Sequence, residues 1–136
     1  MEKDMKPQER AKRLPEGASQ HRTAGPYSPV LEITASKLVV ISGQVAVDPE
    51  GTIVGKDIRT QTRYTLENCR RQLASAQCTL EDVFKVNIYM VNLDEWDAMN
   101  DVYTELVPTP RPVRTAVQTK LLPGILIEIE MWAAKK

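Results

Sequence analysis

Alternating and helically spaced apolar positions divide the chain into strands and helices. Residues 30–34 and 37–42 are rich in apolar and β-branched side chains on either side of an Ala-Ser pair, which predicts a β-hairpin. Residues 58–76 carry apolar or small side chains at helical spacing, and Asp57 precedes them as a candidate N-cap. Residues 83–93 alternate again, so a third strand follows the first helix.

A second helix and two closing strands complete the pattern. Asp94 is the predicted N-cap of this helix, two prolines end it, and residues 113–119 and 125–133 alternate or run apolar as strands do. The order β-β-α-β-α-β-β predicts an α+β domain with two helices packed on one face of a mixed β-sheet. Because several strands are apolar on both faces, we expect the chain to associate with other copies.

The first 23 residues differ from the rest in composition. They contain six Lys or Arg and four acidic residues, few apolar residues, and Pro and Gly that interrupt any period. We interpret residues 1–23 as a polar leader that is either flexible or packs on another subunit. Residues 24–136 form the predicted folded domain.

Composition argues against several classes of protein. Lys and Arg together number 18, as do Asp and Glu, and the chain without its leader is slightly acidic, so a broad nucleic-acid-binding surface is not expected. One His in the leader and two Cys at helical positions are too few for a structural zinc site or a disulfide framework, and we expect no metal. No apolar run approaches the roughly 20 residues of a membrane helix, and no secretory signal is present, so we expect a cytoplasmic protein.

Chemically distinctive residues lie at strand ends and turns. Tyr27 occupies an irregular Gly-Pro-Tyr-Ser-Pro bend, where it either meets a ligand or packs a corner. Ser42 and Gly43 close a strand, where a glycine allows either a ligand close to the backbone or a simple β-bulge.

Two further segments carry charge into predicted strands. Arg114 shares a strand face with Ala116, and its planar guanidinium suits bidentate carboxylate binding, although a solvated edge arginine is the simpler alternative. Glu128 and Glu130 alternate with Ile on the last strand, so they share a face that is either solvated or part of a site. A Glu near an arginine-bound substrate could position or deprotonate a water molecule. We expect Arg114 and Glu128 on neighbouring strands.

Taken in order, these segments resemble the Rid family of reactive-intermediate deaminases, also called the YjgF or L-PSP family. The resemblance covers about residues 24–134, and its seven motifs are short but correctly ordered and spaced. They are Gly25-Pro-Tyr-Ser28, Ile41-Ser-Gly-Gln44, the helix with Gln61, Leu66 and Asn68, Asn100-x-x-Tyr103, Arg114-x-x-Val117, Leu122-Pro123 and Ile127-Glu-Ile-Glu130.

The resemblance implies a chorismate-mutase-like fold and a homotrimer with active sites in the clefts between subunits. It also implies hydrolysis of enamines and imines of 2-amino acids, such as 2-aminoacrylate, to 2-oxo acids and ammonia, with no metal or cofactor. The family's catalytic Arg and Glu correspond to Arg114 and Glu128, whereas Arg111 lies off register. Its substrate-binding positions correspond to Tyr27, Ser42, Gly43, Asn100 and Ala116.

Two departures from the family pattern bear on the chemistry. Ala116 replaces a frequent Cys, which excludes a thiol mechanism there but leaves the backbone N–H that the family uses. Pro29 replaces a frequent Gln, which puts the substrate preference in question. Alternative functions are a 2-aminomuconate-type deaminase and a non-catalytic trimer that binds small metabolites or partner proteins. Endoribonuclease activity is the weakest alternative, because the core lacks His and a basic groove.

Overall fold

A computed structural model of the protein describes residues 10–136. Its main sheet has four strands in the order β3 (Lys37–Gln44), β6 (Ile127–Lys135), β4 (Val83–Met90) and β5 (Val113–Gln118), in which β4 and β5 are parallel and the other neighbours antiparallel. Two helices and a separate pair of two-residue strands complete the fold. Their bounds are β1 Lys12–Arg13, β2 Glu32–Ile33, α1 Ile58–Ala74 and α2 Trp96–Leu106.

Both helices lie on one face of the mixed sheet, which confirms the predicted α+β class. Along β6, Ile127, Ile129 and Met131 are fully buried under the helices, and α1 contacts β3, β6 and α2. The alternate side chains point to the other side of the sheet, as the two-residue period of a strand requires. We call that side the open face; on β4 and β6 it carries Lys85, Asn87, Tyr89, Glu128, Glu130 and Trp132.

Apolar side chains on the open face are exposed in the single chain. Leu38 and Val40 on β3 are 60% and 59% exposed, and Val117 on β5 is 42% exposed. Apolar area concentrated on one sheet face is typical of a surface that another protein covers. None of the helices between residues 10 and 136 is long and apolar enough to cross a membrane.

The predicted hairpin between residues 30–34 and 37–42 is wrong. Glu32–Ile33 pairs instead with Lys12–Arg13, while β3 pairs with β6 from Lys37 opposite Lys135 to Gln44 opposite Ile129. The long terminal strand offers β3 a ladder over its whole length, and the short β2 does not. Residues within the predicted leader therefore contribute to the fold, although residues 1–9 lie outside the described part of the chain.

A buried lysine holds the start of the described chain in place. Lys12 donates from Nζ to the carbonyl oxygens of Val83 (2.6 Å) and Pro110 (2.8 Å), and its neighbour Ala11 is also buried. These bonds connect the beginning of β4 to the loop that leads into β5.

One of the two predicted helix caps is correct. Asp57 caps α1, accepting hydrogen bonds from the backbone N–H (3.1 Å) and the hydroxyl (2.7 Å) of Thr60. Asp94 does not cap α2, because a short 3-10 turn precedes that helix and places Glu95 at its N-cap. Asn92 caps the turn instead, accepting from the Asp94 N–H at 3.0 Å.

Candidate active site

Arg114 lies on the helix face of β5, within a cluster of aromatic rings. Its Nη1 donates to Asn100 Oδ1 of α2 at 2.8 Å. The guanidinium carbon is 4.7 Å from the ring centre of Tyr103, 5.1 Å from that of Tyr27 and 5.8 Å from that of Trp96. All three distances are within the range of cation–π attraction. Helix α2 and the Tyr27 bend therefore hold the cation in a defined position.

The charge of Arg114 is buried without a counter-ion. Its Nε and Nη2 atoms are inaccessible and have no hydrogen-bond partner, and no carboxylate among residues 10–136 forms an ion pair with it. Burial lowers the pKa of Arg114, an effect that the nearby rings of Tyr103 and Tyr27 partly oppose. A guanidinium remains protonated despite such a shift. Because a buried, unpaired cation is costly, this arrangement fits a receptor for an anion such as a carboxylate.

The Tyr27 bend is fastened to the segment that precedes β5. Ser28 donates its backbone N–H to the carbonyl oxygen of Pro112 at 3.2 Å and its hydroxyl to that of Arg111. Next to the bend is a cleft of about 340 Å³, a size suited to a small ligand. Its lining residues are Gln20, Tyr27, Ser28, Pro29, Lys85, Val86, Asn87, Val113, Arg114 and Thr115.

A second group of predicted site residues lies on the opposite side of the sheet. The pairing of β3 with β6 shifts register between Ile41 and Gln44, so Ser42 and Gly43 form a bulge. Glu128 of β6 packs directly on Gly43: a Cβ at that position would lie 2.9 Å from its Cδ and 3.0 Å from its Cγ. The reason for glycine at position 43 is therefore the close approach of the Glu128 side chain and not the backbone conformation, since the φ of Gly43 is not in the left-handed region.

The two acids of β6 have different surroundings. Glu130 Oε1 accepts a hydrogen bond from the Tyr89 hydroxyl at 2.5 Å and another from Asn87 Nδ2 at 3.2 Å. The bond to Glu130 raises the pKa of Tyr89. Glu128 forms no side-chain hydrogen bond with residues 10–136, so its carboxylate is the one free to act on a ligand or water.

The expectation that Arg114 and Glu128 occupy neighbouring strands is wrong. Strand β4 lies between them, with Val86 opposite Arg114 and Tyr89 opposite Glu128. Val86 and Tyr89 are an odd number of residues apart, so their side chains point to opposite faces. The predicted site residues therefore fall into two groups, which we call half-sites: Tyr27, Asn100, Arg114 and Ala116 on the helix side, and Ser42, Gly43 and Glu128 on the other.

The sequence interpretation missed the other rings around Arg114. The sequence motifs give Trp96 no role and include Tyr103 in only one family motif. Both are spaced with Asn100 at i, i+4 and i+7, so all three line one helix face. That spacing is the sequence feature from which the two rings could have been predicted to lie beside Asn100. Among residues 10–136, no three His, Cys, Asp or Glu side chains are arranged to hold a metal ion.

Comparisons with known proteins agree with the fold and the motifs. A family model described as endoribonuclease L-PSP matches residues 18–135. A RutC family protein from Pyrococcus horikoshii is 41% identical over 114 residues, which cover 82% of this chain and 89% of that protein. The mitochondrial protein mmf2 of Schizosaccharomyces pombe is 39% identical over 127 residues, covering 90% and 98% of the two chains.

A solved structure shows the same architecture. It is a Mycobacterium tuberculosis member of the YjgF/YER057c/UK114 family, with a TM-score of 0.64 and 30% identity. The similarity covers 90% of this chain and 98% of that one. The described part of this chain and those relatives therefore share one domain over nearly its whole length.

Proposed function

Because the chain belongs to the endoribonuclease L-PSP family, also called the YjgF or Rid family, we propose that it hydrolyses reactive imines and enamines of 2-amino acids to 2-oxo acids and ammonia. The observation that carries this proposal is the buried guanidinium of Arg114, with two nitrogen atoms that lack hydrogen-bond partners and no counter-ion among residues 10–136. A 2-imino acid supplies the missing carboxylate and holds its electrophilic carbon next to that group.

The proposed site lies between subunits of a homotrimer, because one chain cannot bring its two half-sites together. Arg114 of one subunit binds the substrate carboxylate, Asn100 fixes the guanidinium, and the backbone N–H of Ala116 assists. Glu128 of a neighbouring subunit reaches the same substrate from its Gly43 bulge. The exposed apolar side chains of the open face support this assembly, since association would remove them from water.

The reaction needs only positioning and proton transfer. Water adds to the imine carbon while Glu128 accepts its proton, and the same proton then passes to the nitrogen. The hydroxyl proton of the resulting carbinolamine then moves to the nitrogen, the C–N bond breaks and the hydroxyl oxygen becomes the carbonyl oxygen, so that one imine and one water give one 2-oxo acid and one ammonia. Such acid–base help is worth about 10²–10⁴-fold. No metal or cofactor takes part in the proposed steps.

A dicarboxylic imine is the second candidate substrate. The cleft beside Arg114 is also lined by Lys85, whose ammonium lies 5.7 Å from the ring centre of Trp132. Because Lys85 projects from the open face and Arg114 from the helix face, a substrate that meets both cations needs two carboxylates separated by several atoms, as in a 2-aminomuconate-type substrate. Acceleration confined to such longer unsaturated diacids would support this candidate, whereas carboxylate binding without any turnover would indicate a binding module.

The test generates 2-aminoacrylate in solution with a dehydratase and follows pyruvate and ammonia release. We expect wild-type protein to accelerate release, and Arg114→Ala and Arg114→Lys each to lose about 10- to 100-fold in kcat/KM, as for a charge-assisted bidentate contact. Arg59→Ala is the matched control, because Arg59 forms an exposed ion pair with Asp101. Full activity in Arg114→Ala would refute the assignment. The cytoplasm is our proposed compartment, although the relatives mmf1 and mmf2 of Schizosaccharomyces pombe are mitochondrial proteins.

Subunit complementation tests where the site lies. Arg114→Ala and Glu128→Gln proteins, each of which retains only a small residual activity alone, are co-expressed in equal amounts so that mixed oligomers form. If each site takes Arg114 from one subunit and Glu128 from the next, random assembly restores about a quarter of wild-type activity. Absence of recovery in verified mixed oligomers would place both residues in one subunit.

A further inference from the structure

Gly25 separates two of the rings that surround Arg114. A Cβ at Gly25 would lie 2.9 Å from both Cη2 and Cζ2 of Trp96 and 3.1 Å from Cε2 of Tyr27. The φ of Gly25 is not in the left-handed region, so its backbone conformation does not demand glycine. What demands glycine is the close approach of the two rings.

The same two rings contact the guanidinium. Tyr27 and Trp96 lie 5.1 and 5.8 Å from the Arg114 carbon, and the Tyr27 N–H donates to the Gly25 carbonyl oxygen at 2.9 Å. The indole thus abuts the turn that carries Tyr27 as well as facing the cation. Removing the indole would leave a gap behind that turn and open one side of the ring cluster.

Helix α2 fixes the position of the indole. Trp96 is its first residue and packs against the hydrophobic core. On the same helix face, Asn100 accepts a hydrogen bond from Arg114 and the ring of Tyr103 lies next to the guanidinium. Arginine has a long side chain with many rotamers, so a carboxylate binds less tightly if the guanidinium must be ordered at the moment of binding. The rings supply that order in advance.

We infer that Trp96 is a positioning residue, which holds Arg114 and the Tyr27 bend ready for the substrate carboxylate. The inference rests on the proposed function, in that Arg114 is taken as the carboxylate receptor. Trp96 touches no reacting atom in this scheme, and its contribution is to ground-state and transition-state binding alike. Its loss should therefore raise KM and leave kcat nearly unchanged.

The experiment compares Trp96→Leu with Trp96→Phe. Turnover of 2-aminoacrylate gives kcat and KM, and calorimetric titration with pyruvate, a carboxylate probe that needs no chemistry, gives Kd. We expect Trp96→Leu to raise KM and the pyruvate Kd together by about 2- to 30-fold, the worth of a cation–π contact, with kcat within about threefold of wild type. Trp96→Phe, which keeps a ring, should restore most of the binding.

A matched control removes an equivalent contact elsewhere. Tyr64 of α1 lies 5.6 Å from the Arg71 guanidinium, so Tyr64→Leu deletes an arginine–ring contact remote from β5. This variant should lose some stability but keep the wild-type KM and Kd. Gly25→Ala is a complementary variant, because it displaces both rings without deleting either one, and it should weaken pyruvate binding as Trp96→Leu does.

Fluorescence reports directly whether pyruvate binds beside Trp96, while the split between KM and kcat separates positioning from a purely structural role. In a Trp132→Phe background Trp96 is the sole tryptophan. Its emission should change as pyruvate is added, and the Kd obtained from that change should equal the calorimetric Kd. Folded Trp96→Leu with unchanged KM and pyruvate Kd would overturn the inference, as would wild-type protein that binds no pyruvate. Wild-type protein that binds pyruvate through Arg114 but accelerates no imine hydrolysis would refute the deaminase proposal alone.

Discussion

Replacing Gly43 with alanine displaces the proposed catalytic carboxylate of Glu128 without changing its chemistry. The new methyl group would lie 2.9 Å from the Cδ and 3.0 Å from the Cγ of Glu128. It would lie still closer to the Oε2 atom of the Glu128 carboxylate. Ordinary contacts of a Cβ with such atoms begin near 3.4 Å. The bulge backbone is fixed between β3 and β6, whereas the end of a glutamate side chain is flexible, so the carboxylate is the part that moves.

The size of that movement sets the expected loss of activity. To restore normal contacts, the Glu128 carboxylate must shift by about 1 Å, a displacement that costs on the order of 10²-fold in the rate of a well-positioned reaction. Stability should change by less than about 1 kcal/mol, because the displaced group forms no side-chain hydrogen bond with residues 10–136. The predicted signature is a fall in kcat with little change in the unfolding midpoint.

The assay is the coupled 2-aminoacrylate reaction, combined with urea unfolding of each variant. Gly51→Ala serves as the control: Gly51 has a φ of +89° and open space around it, so alanine there should cost stability but no activity. Because Gly43→Ala acts through Glu128, the Gly43→Ala/Glu128→Gln double variant should be no slower than Glu128→Gln alone. Wild-type kcat in Gly43→Ala, or fully multiplicative losses in the double variant, would refute the reasoning.

Three other predictions follow from local geometry. Glu128→Gln should lower kcat by about 10²-fold or more, while Glu130→Gln, whose carboxylate is held by hydrogen bonds, should keep most of it; equal losses in the coupled assay would contradict these roles. Lys12→Met should lower the urea-measured free energy of unfolding by about 2 kcal/mol or more, because two carbonyl oxygens lose a charged donor; an unchanged midpoint would show that these bonds contribute nothing. Burial raises the pKa of Cys69 to about 12, because the folded state disfavours the thiolate. In the unfolded chain the pKa of this thiol is about 8.5, so its contribution to stability is fully present below that pH. That contribution is lost as the pH rises from there toward 12, by up to about 1.4 kcal/mol per pH unit, and Cys69→Ala should remove this part of the alkaline destabilisation; parallel stability–pH curves would contradict the shift.

Local signals in the sequence were sufficient for much of the fold. The helical spacing before and after Leu66 and the cap at Asp57 are properties of a short segment, and both are found as predicted. The alternation of Ile and Glu in β6 likewise determined which side chains are buried. Such features depend on neighbours along the chain, which a sequence displays directly.

Contacts between segments that are distant along the chain could not be predicted from such local patterns. The partner of β2 is Lys12–Arg13, in a segment whose charge and prolines suggested a leader, and the anchoring bonds of Lys12 reach residues 71 and 98 positions away. Nothing in the local pattern of a lysine distinguishes a buried donor from a solvated one. The rings around Arg114 were hidden for the same reason, because packing of α2 over β5 brings Trp96 and Tyr103 to it.

The separation of Arg114 from Glu128 shows how one register decides the organisation of a site. Alternation determines which side chains of β5 share a face, and likewise for β6. Whether Arg114 and Glu128 lie on the same side of the sheet depends on the register in which each strand pairs with β4. The pairing partners, Val86 and Tyr89, differ by an odd number, and a shift of one residue in either ladder would place both charges on one face. With the observed register, no side-chain rotation in one chain can join an arginine under the helices to a glutamate on the open face. Chemistry that uses both residues therefore needs a second copy of the chain, and the exposed apolar side chains of the open face offer a surface on which such a copy would pack.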